Sequence, residues 1–82
     1  IEAHTITTLL SLLQNPNAQE IANTIYGLGL LAKTEHLYGN IEAQALTTLL
    51  DLLQNPSEQN VANIIYGLGL LAKAEQLHGN IE

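Results

Sequence analysis

Apolar residues in the second half of the chain fall at Leu46, Leu49, Leu50 and Leu53, spaced i, i+3, i+4 and i+7. That spacing is the period of one helix face, and Gln44, Thr47, Thr48, Asp51 and Gln54 take the other side. Pro56 ends the pattern, because proline drives the residue before it out of the helical region. Ser57 or Asn55 is placed to cap a new helix by accepting from its free N–H groups. The new helix carries Val61, Ile64, Ile65, Leu68, Leu71 and Ala72 on one broad face. Gly79-Asn80 reads as a stop and restart, with glycine in a left-handed position and Asn80 capping the next segment. Leu9, Leu10, Leu13, Pro16, Ile25, Leu28, Gly39 and Asn40 obey the same logic in the first half. Strand-type alternation is absent, so the expected class is all-α. No apolar run approaches the roughly 18–20 residues of a membrane span. The longest, Ile64–Ala72, contains two glycines.

The two halves share this pattern because they share a sequence. Residues 1–40 and 41–80 match without a gap at 28 of 40 positions. Several differences conserve character, such as Ile6 against Leu46 and Ile21 against Val61. Ile81-Glu82 restarts the unit, matching Ile1-Glu2 and Ile41-Glu42. The expected organisation is therefore unit 1 at 1–40, unit 2 at 41–80, and the start of a third at 81–82. A fixed period of this length points to an α-solenoid, in which each unit buries its core against its neighbour.

The long helix of each unit contains Tyr-Gly-Leu-Gly-Leu-Leu-Ala, at 26–32 and 66–72. Glycine inside a helix costs about 0.8–1 kcal/mol relative to alanine. The reading given to it is close packing, where a missing Cβ lets a neighbouring helix approach; the alternative is a hinge that sets curvature. A phosphate-binding loop does not fit, since its glycines belong in a turn before a helix, with Lys-Ser/Thr next.

Composition narrows the function. With no cysteine there is no disulfide framework, thiolate nucleophile or cysteine-based zinc site. A net charge of −6, from two basic and eight acidic residues, repels phosphate backbones and disfavours nucleic acid. Only 12% of residues are charged and 46% are apolar, a balance that supports a packed fold. The only aromatics are three tyrosines, so the core is expected to be aliphatic.

The stretch ALTTLLDLLQNPSEQNVANIIYGLGLLA, residues 45–72, resembles an armadillo-type repeat. That family has a Leu-rich second helix, a short Pro-containing turn, and a third helix with a large aromatic followed by small and Leu residues. Leu46, Leu49, Leu50, Leu52, Leu53, Pro56, Tyr66, Leu68 and Ala72 fit the pattern. The resemblance implies a short first helix within TEHLYGNIEAQ, residues 34–44, and again from residue 74. HEAT-like repeats share the Leu-rich hairpin, and a simple two-helix unit is the alternative. Lys73-Ala74 stands where the family has a glycine turn. Armadillo proteins that hold extended peptides use an Asn one turn after a Trp; here Leu70 and Tyr66, and Leu30 and Tyr26, occupy those positions. That clamp therefore does not carry over. Ala-Asn-Thr-Ile-Tyr-Gly-Leu-Gly, residues 22–29, is similar to the core of octotricopeptide-type repeats, which implies RNA binding as the alternative function. The acidic balance argues against it.

On a helical wheel, Gln59, Asn63, Tyr66, Leu70 and Lys73 fall along one line, as do Gln19, Asn23, Tyr26, Leu30 and Lys33. Stacked units would align them as ladders. Gln19, Asn23, Tyr26, Lys33, Gln59, Asn63, Tyr66 and Lys73 are therefore the candidate partner-binding groove. Tyrosine brings apolar area and a hydroxyl, and amides bond a peptide backbone. The competing reading is that Asn and Tyr satisfy each other between units. His4, His36 and His78 lack metal-site spacing, and each is expected to be exposed or locally bonded. Glu2, Glu35, Glu42, Glu75 and Glu82 recur at unit positions and are expected to face solvent. Ser11 and Ser57 have no evident base. Catalysis needs unlike residues converging on a point, whereas a repeat spreads like residues along a line. The expectation is a non-catalytic binding or scaffold module without metal or cofactor. It is expected to be an excerpt of a longer array, intracellular and cytoplasmic, with protein or peptide partners, end-to-end self-association and no membrane.

Overall fold

The computed structural model describes residues 1–80; the expected start of a third unit at 81–82 lies outside the described residues. The chain runs α1 (Ala3–Ser11), α2 (Ala18–Lys33), β1 (Ile41–Glu42), α3 (Ala43–Leu50), α4 (Glu58–Lys73) and β2 (Leu77–His78). It is predominantly helical, and both 40-residue blocks trace the same short-helix, long-helix path.

The long helices start where the sequence puts them, two residues after Pro16 and Pro56. Asn17 accepts from the Glu20 N–H at 2.8 Å, and Glu20 reaches back to the Asn17 N–H at 2.8 Å. Ser57 and Asn60 exchange the same two bonds at 3.0 and 2.9 Å. Each reciprocal pair satisfies two donors that the first helical turn leaves free. Asn55 is not the cap; it takes a left-handed φ of 50° in the turn before Pro56.

The helix ends differ from expectation. Neither long helix runs to Gly39 or Gly79; both stop at Lys33 and Lys73. Glu35 and Glu75 adopt the left-handed conformation, at φ 61° and 59°. The His36 and Gln76 N–H groups return to the carbonyls of Leu31 and Leu71, and those of Glu35 and Glu75 to Ala32 and Ala72. These paired bonds satisfy carbonyls that the last turn exposes, which offsets the steric cost of a left-handed side chain. The glycines act later. Gly39, at φ 94°, turns the chain between the bridged Tyr38 and β1, and Gly79 takes the matching φ of 99° after β2.

Residues 34–42 contain no helix, so the short first helix implied by the armadillo resemblance is not formed. Instead the two ends of each block pair in parallel. Ile41-Glu42 pairs with Leu77-His78, and Glu2 bridges Tyr38. Asn40 caps nothing; Glu42 precedes α3 and Glu2 precedes α1, without side-chain cap bonds. The absence of strand alternation gave no warning of these strands, since a two-residue strand has no period to read.

The core is aliphatic. Ile21, Ile25, Ile41, Leu46 and Leu71 are its largest fully buried side chains. α2 packs along α4, and α3 sits beside α1 and α2. The broad apolar face expected on α4 is divided. Ile64 and Leu71 are buried toward α2, whereas Val61, Ile65 and Ala72 lie on the outside. No helix among the described residues is long and apolar enough to cross a membrane.

Candidate functional site

The two long helices place equivalent residues next to each other. Tyr26 and Tyr66 lie with ring centroids 5.5 Å apart and planes tilted by 30°. A tilted pair at this separation is favourable for two aromatic quadrupoles and adds about 0.5–1.5 kcal/mol to the area the rings bury. Tyr66 is the outer member, 45% exposed.

The candidate residues divide between two clefts on either side of the tyrosine pair. Toward the helix starts, Gln19, Asn23, Gln59 and Asn63 join Ser57 and Asn60 around a polar cleft of about 220 Å³. Toward the helix ends, Lys33, Tyr66, Leu70 and Lys73 line a larger cleft of about 850 Å³. The larger one also has walls from Leu37, Tyr38, Glu35 and Gln76, residues that the helical wheel does not reach. Tyr38 comes from the strand-forming segment that closes the first block. The sequence offered one signal for it, since it is the only tyrosine outside the long helices.

The order of these features reflects the local chemistry. Both lysines sit in the last turn of their helices, where a cation complements the partial negative charge of the exposed carbonyls. They are the only basic residues in a chain of net charge −6. The large cleft thus gathers all the lysine charge of the molecule beside two tyrosines. Gln76 fixes its floor by donating through Nε2 to the Leu37 carbonyl and, at 3.0 Å, to the Gly39 carbonyl. These two bonds tie the second block to the turn that leaves the first.

The carboxylates Glu2, Glu35, Glu42 and Glu75 are exposed. His4, His36 and His78 are exposed as well, and His36 Nδ1 lies 3.0 Å from the Thr34 hydroxyl. His78 has a charged partner. Its Nδ1 lies 3.0 Å from a Glu42 carboxylate oxygen, across the β1–β2 pair. The hydrogen bond that His78 donates to the Glu42 carboxylate, and then the charge of that carboxylate, raise the His78 pKa above its ordinary value of 6.5. Because the folded value is the higher one, the pair's stabilisation is fully present below the unfolded pKa. It is lost as pH rises through the raised folded value. An NMR titration is expected to show His78 protonating above 6.5, with Glu42→Gln returning it toward 6.5. The melting-temperature gap between wild type and Glu42→Gln is expected to close as pH rises through that window; a pH-independent gap contradicts it.

In comparisons with protein-family models, curated proteins and solved structures, no match to this chain was found.

Proposed function

We propose that this chain is a non-catalytic binding module, a two-unit α-solenoid whose tyrosine- and lysine-lined cleft holds a protein or peptide segment. The observation that carries the reading is the gathering of Lys33, Lys73, Tyr38 and Tyr66 around one cleft of about 850 Å³, with Glu35 its single carboxylate, in an otherwise acidic molecule. A segment rich in carboxylates, with an apolar or aromatic side chain against Tyr66 and Leu70, complements that lining. Gln19, Asn23, Gln59 and Asn63 extend the line with amides suited to an extended backbone.

Panning a random displayed peptide library against the protein tests this. The expected result is enrichment of acidic sequences whose binding weakens with salt. Binding is expected to fall by at least about tenfold in Tyr66→Ala and Lys73→Gln, as for loss of an aromatic anchor or a charge contact. Selected peptides that bind Tyr66→Ala and Lys73→Gln as well as wild type overturn the reading. So does tight binding of single-stranded RNA at low salt in the absence of peptide binding, which is the octotricopeptide-like outcome.

A further inference from the structure

The α2–α4 interface joins two different faces of one repeated helix sequence. From α2 it takes Ile21, Ile25 and Gly29, and from α4 it takes Ile64, Gly67 and Leu71, all buried. The block equivalents of the first set are Val61, Ile65 and Gly69, and all three lie open, Ile65 at 64% against 0% for Ile25. The equivalents of the second set, Thr24, Gly27 and Leu31, are only partly covered. Nothing lies within 4 Å of a Cβ built on Gly27 or Gly69. Each end of the molecule thus presents one half of an interface that is already assembled in its middle.

We propose that the chain associates head to tail with further copies of itself. The outer face of α4, with Val61, Ile65 and Gly69, receives Thr24, Gly27 and Leu31 of the next copy. The register is that in which α2 receives α4 within one molecule. The inference stands apart from the peptide-groove reading, because it uses the end faces and not the cleft.

A second copy is the occupant that the internal interface specifies. A Cβ on Gly29 would lie 2.7 Å from the Gly67 carbonyl oxygen, and one on Gly67 would strike the backbone of Ile25 and Tyr26. Contact this close demands glycine on both surfaces, and the chain supplies it at both free ends. Four of the six interface positions carry the identical residue in the other block. Gln76 crosses the internal interface to the turn carbonyls of Leu37 and Gly39, and the stacked copy places His36, a ring donor, at the equivalent carbonyls of Leu77 and Gly79. Three features moderate the fit: Val61 stands for Ile21, Thr24 stands for Ile64, and each copy carries a charge of −6. The contact is heterologous and leaves a free face at each end, so growth is open-ended.

Sedimentation velocity across protein concentration tests the proposal. Wild type is expected to grow past the dimer, and added salt to strengthen the growth by screening like charges. Gly27→Ala and Gly69→Ala are each expected to weaken association by at least about tenfold, the loss that overpacking a tight contact brings. Both variants are expected to melt no lower than wild type, since their new methyl groups meet open space in the free molecule. Mixed in equal amounts, they are expected to form a dimer and stop, because one keeps a free α4 face and the other a free α2 face. Thr24→Ile is expected to tighten the stack. A wild-type monomer at every concentration overturns the proposal and leaves the faces to another occupant. A closed dimer that does not grow, or alanine variants that associate like wild type, overturns it as well.

Discussion

Gly67→Ala is expected to lower the melting temperature of the dilute protein by roughly 8–16 °C, and Gly69→Ala to raise it by roughly 4–8 °C. The two residues are two positions apart in one helix, and each substitution brings the same intrinsic gain of about 0.8–1 kcal/mol in helix propensity. Their surroundings differ. The methyl added at Gly67 would overlap the Ile25 carbonyl and approach the Tyr26 nitrogen to 2.9 Å. These are backbone atoms of a buried helix and have no rotamer with which to move aside. The helices must separate, which opens the contacts of Ile25, Ile64 and Leu71. Overpacking of this kind costs about 1–3 kcal/mol and at times more, enough to outweigh the propensity gain and leave a net loss near 2 kcal/mol. At Gly69 nothing lies within 4 Å, so the propensity gain stands alone. Thermal melts monitored by circular dichroism check both signs. Equal shifts in the two variants would show that the glycines act through the helix alone and not through its neighbour.

Ile25→Ala is expected to destabilise the fold by about 2–5 kcal/mol, whereas Ile65→Ala costs under about 0.5 kcal/mol. The residues are block equivalents, on identical turns of helices with nearly identical sequences. Ile25 is fully buried and Ile65 is 64% exposed. Truncating Ile25 removes three buried carbons and leaves a cavity lined by α2 and α4, which close packing through Gly67 prevents from collapsing. Truncating Ile65 removes carbons that water already reaches. Urea denaturation of the two variants at low concentration measures the difference, and the repeat supplies its own control for residue type and helix position. Comparable losses at both sites would contradict the division of the apolar stripe into an inner and an outer face.

Much of the local structure was legible along the chain. The spacing of Leu46, Leu49, Leu50 and Leu53 marked α3, although the helix ends at Leu50 and leaves Leu53 in the loop; Pro56 marked that loop and Ser57 the start of α4, because each acts on its own backbone or its immediate neighbours. The far end of the long helices was not legible. Glu35 and Glu75 occupy a left-handed position where glycine is the usual signal. The short strands escaped for a related reason. Their main-chain bonds join residues such as Ile41 and Gln76, far apart in sequence, and two residues do not establish an alternation. Of the residues along the two clefts, the wheel could group the Gln, Asn, Tyr and Lys line, since all of it lies on one helix face. Tyr38 and Gln76 enter through the turn and strands, so only their placement in space revealed them.

The sequence by itself determined that each block holds a Leu-rich helix and a longer one, where the long helices begin, that the core is aliphatic, and that two 40-residue blocks carry the same chemistry. These features arise from propensity, periodicity and capping, which operate within a few residues. The tertiary structure alone decided that Gly29 and Gly67 are packed while Gly27 and Gly69 are open, and that Ile25 is buried while Ile65 is not. The repeated sequence assigns each pair the same character. Only the presence of a neighbour on one side and its absence on the other makes the members of a pair different.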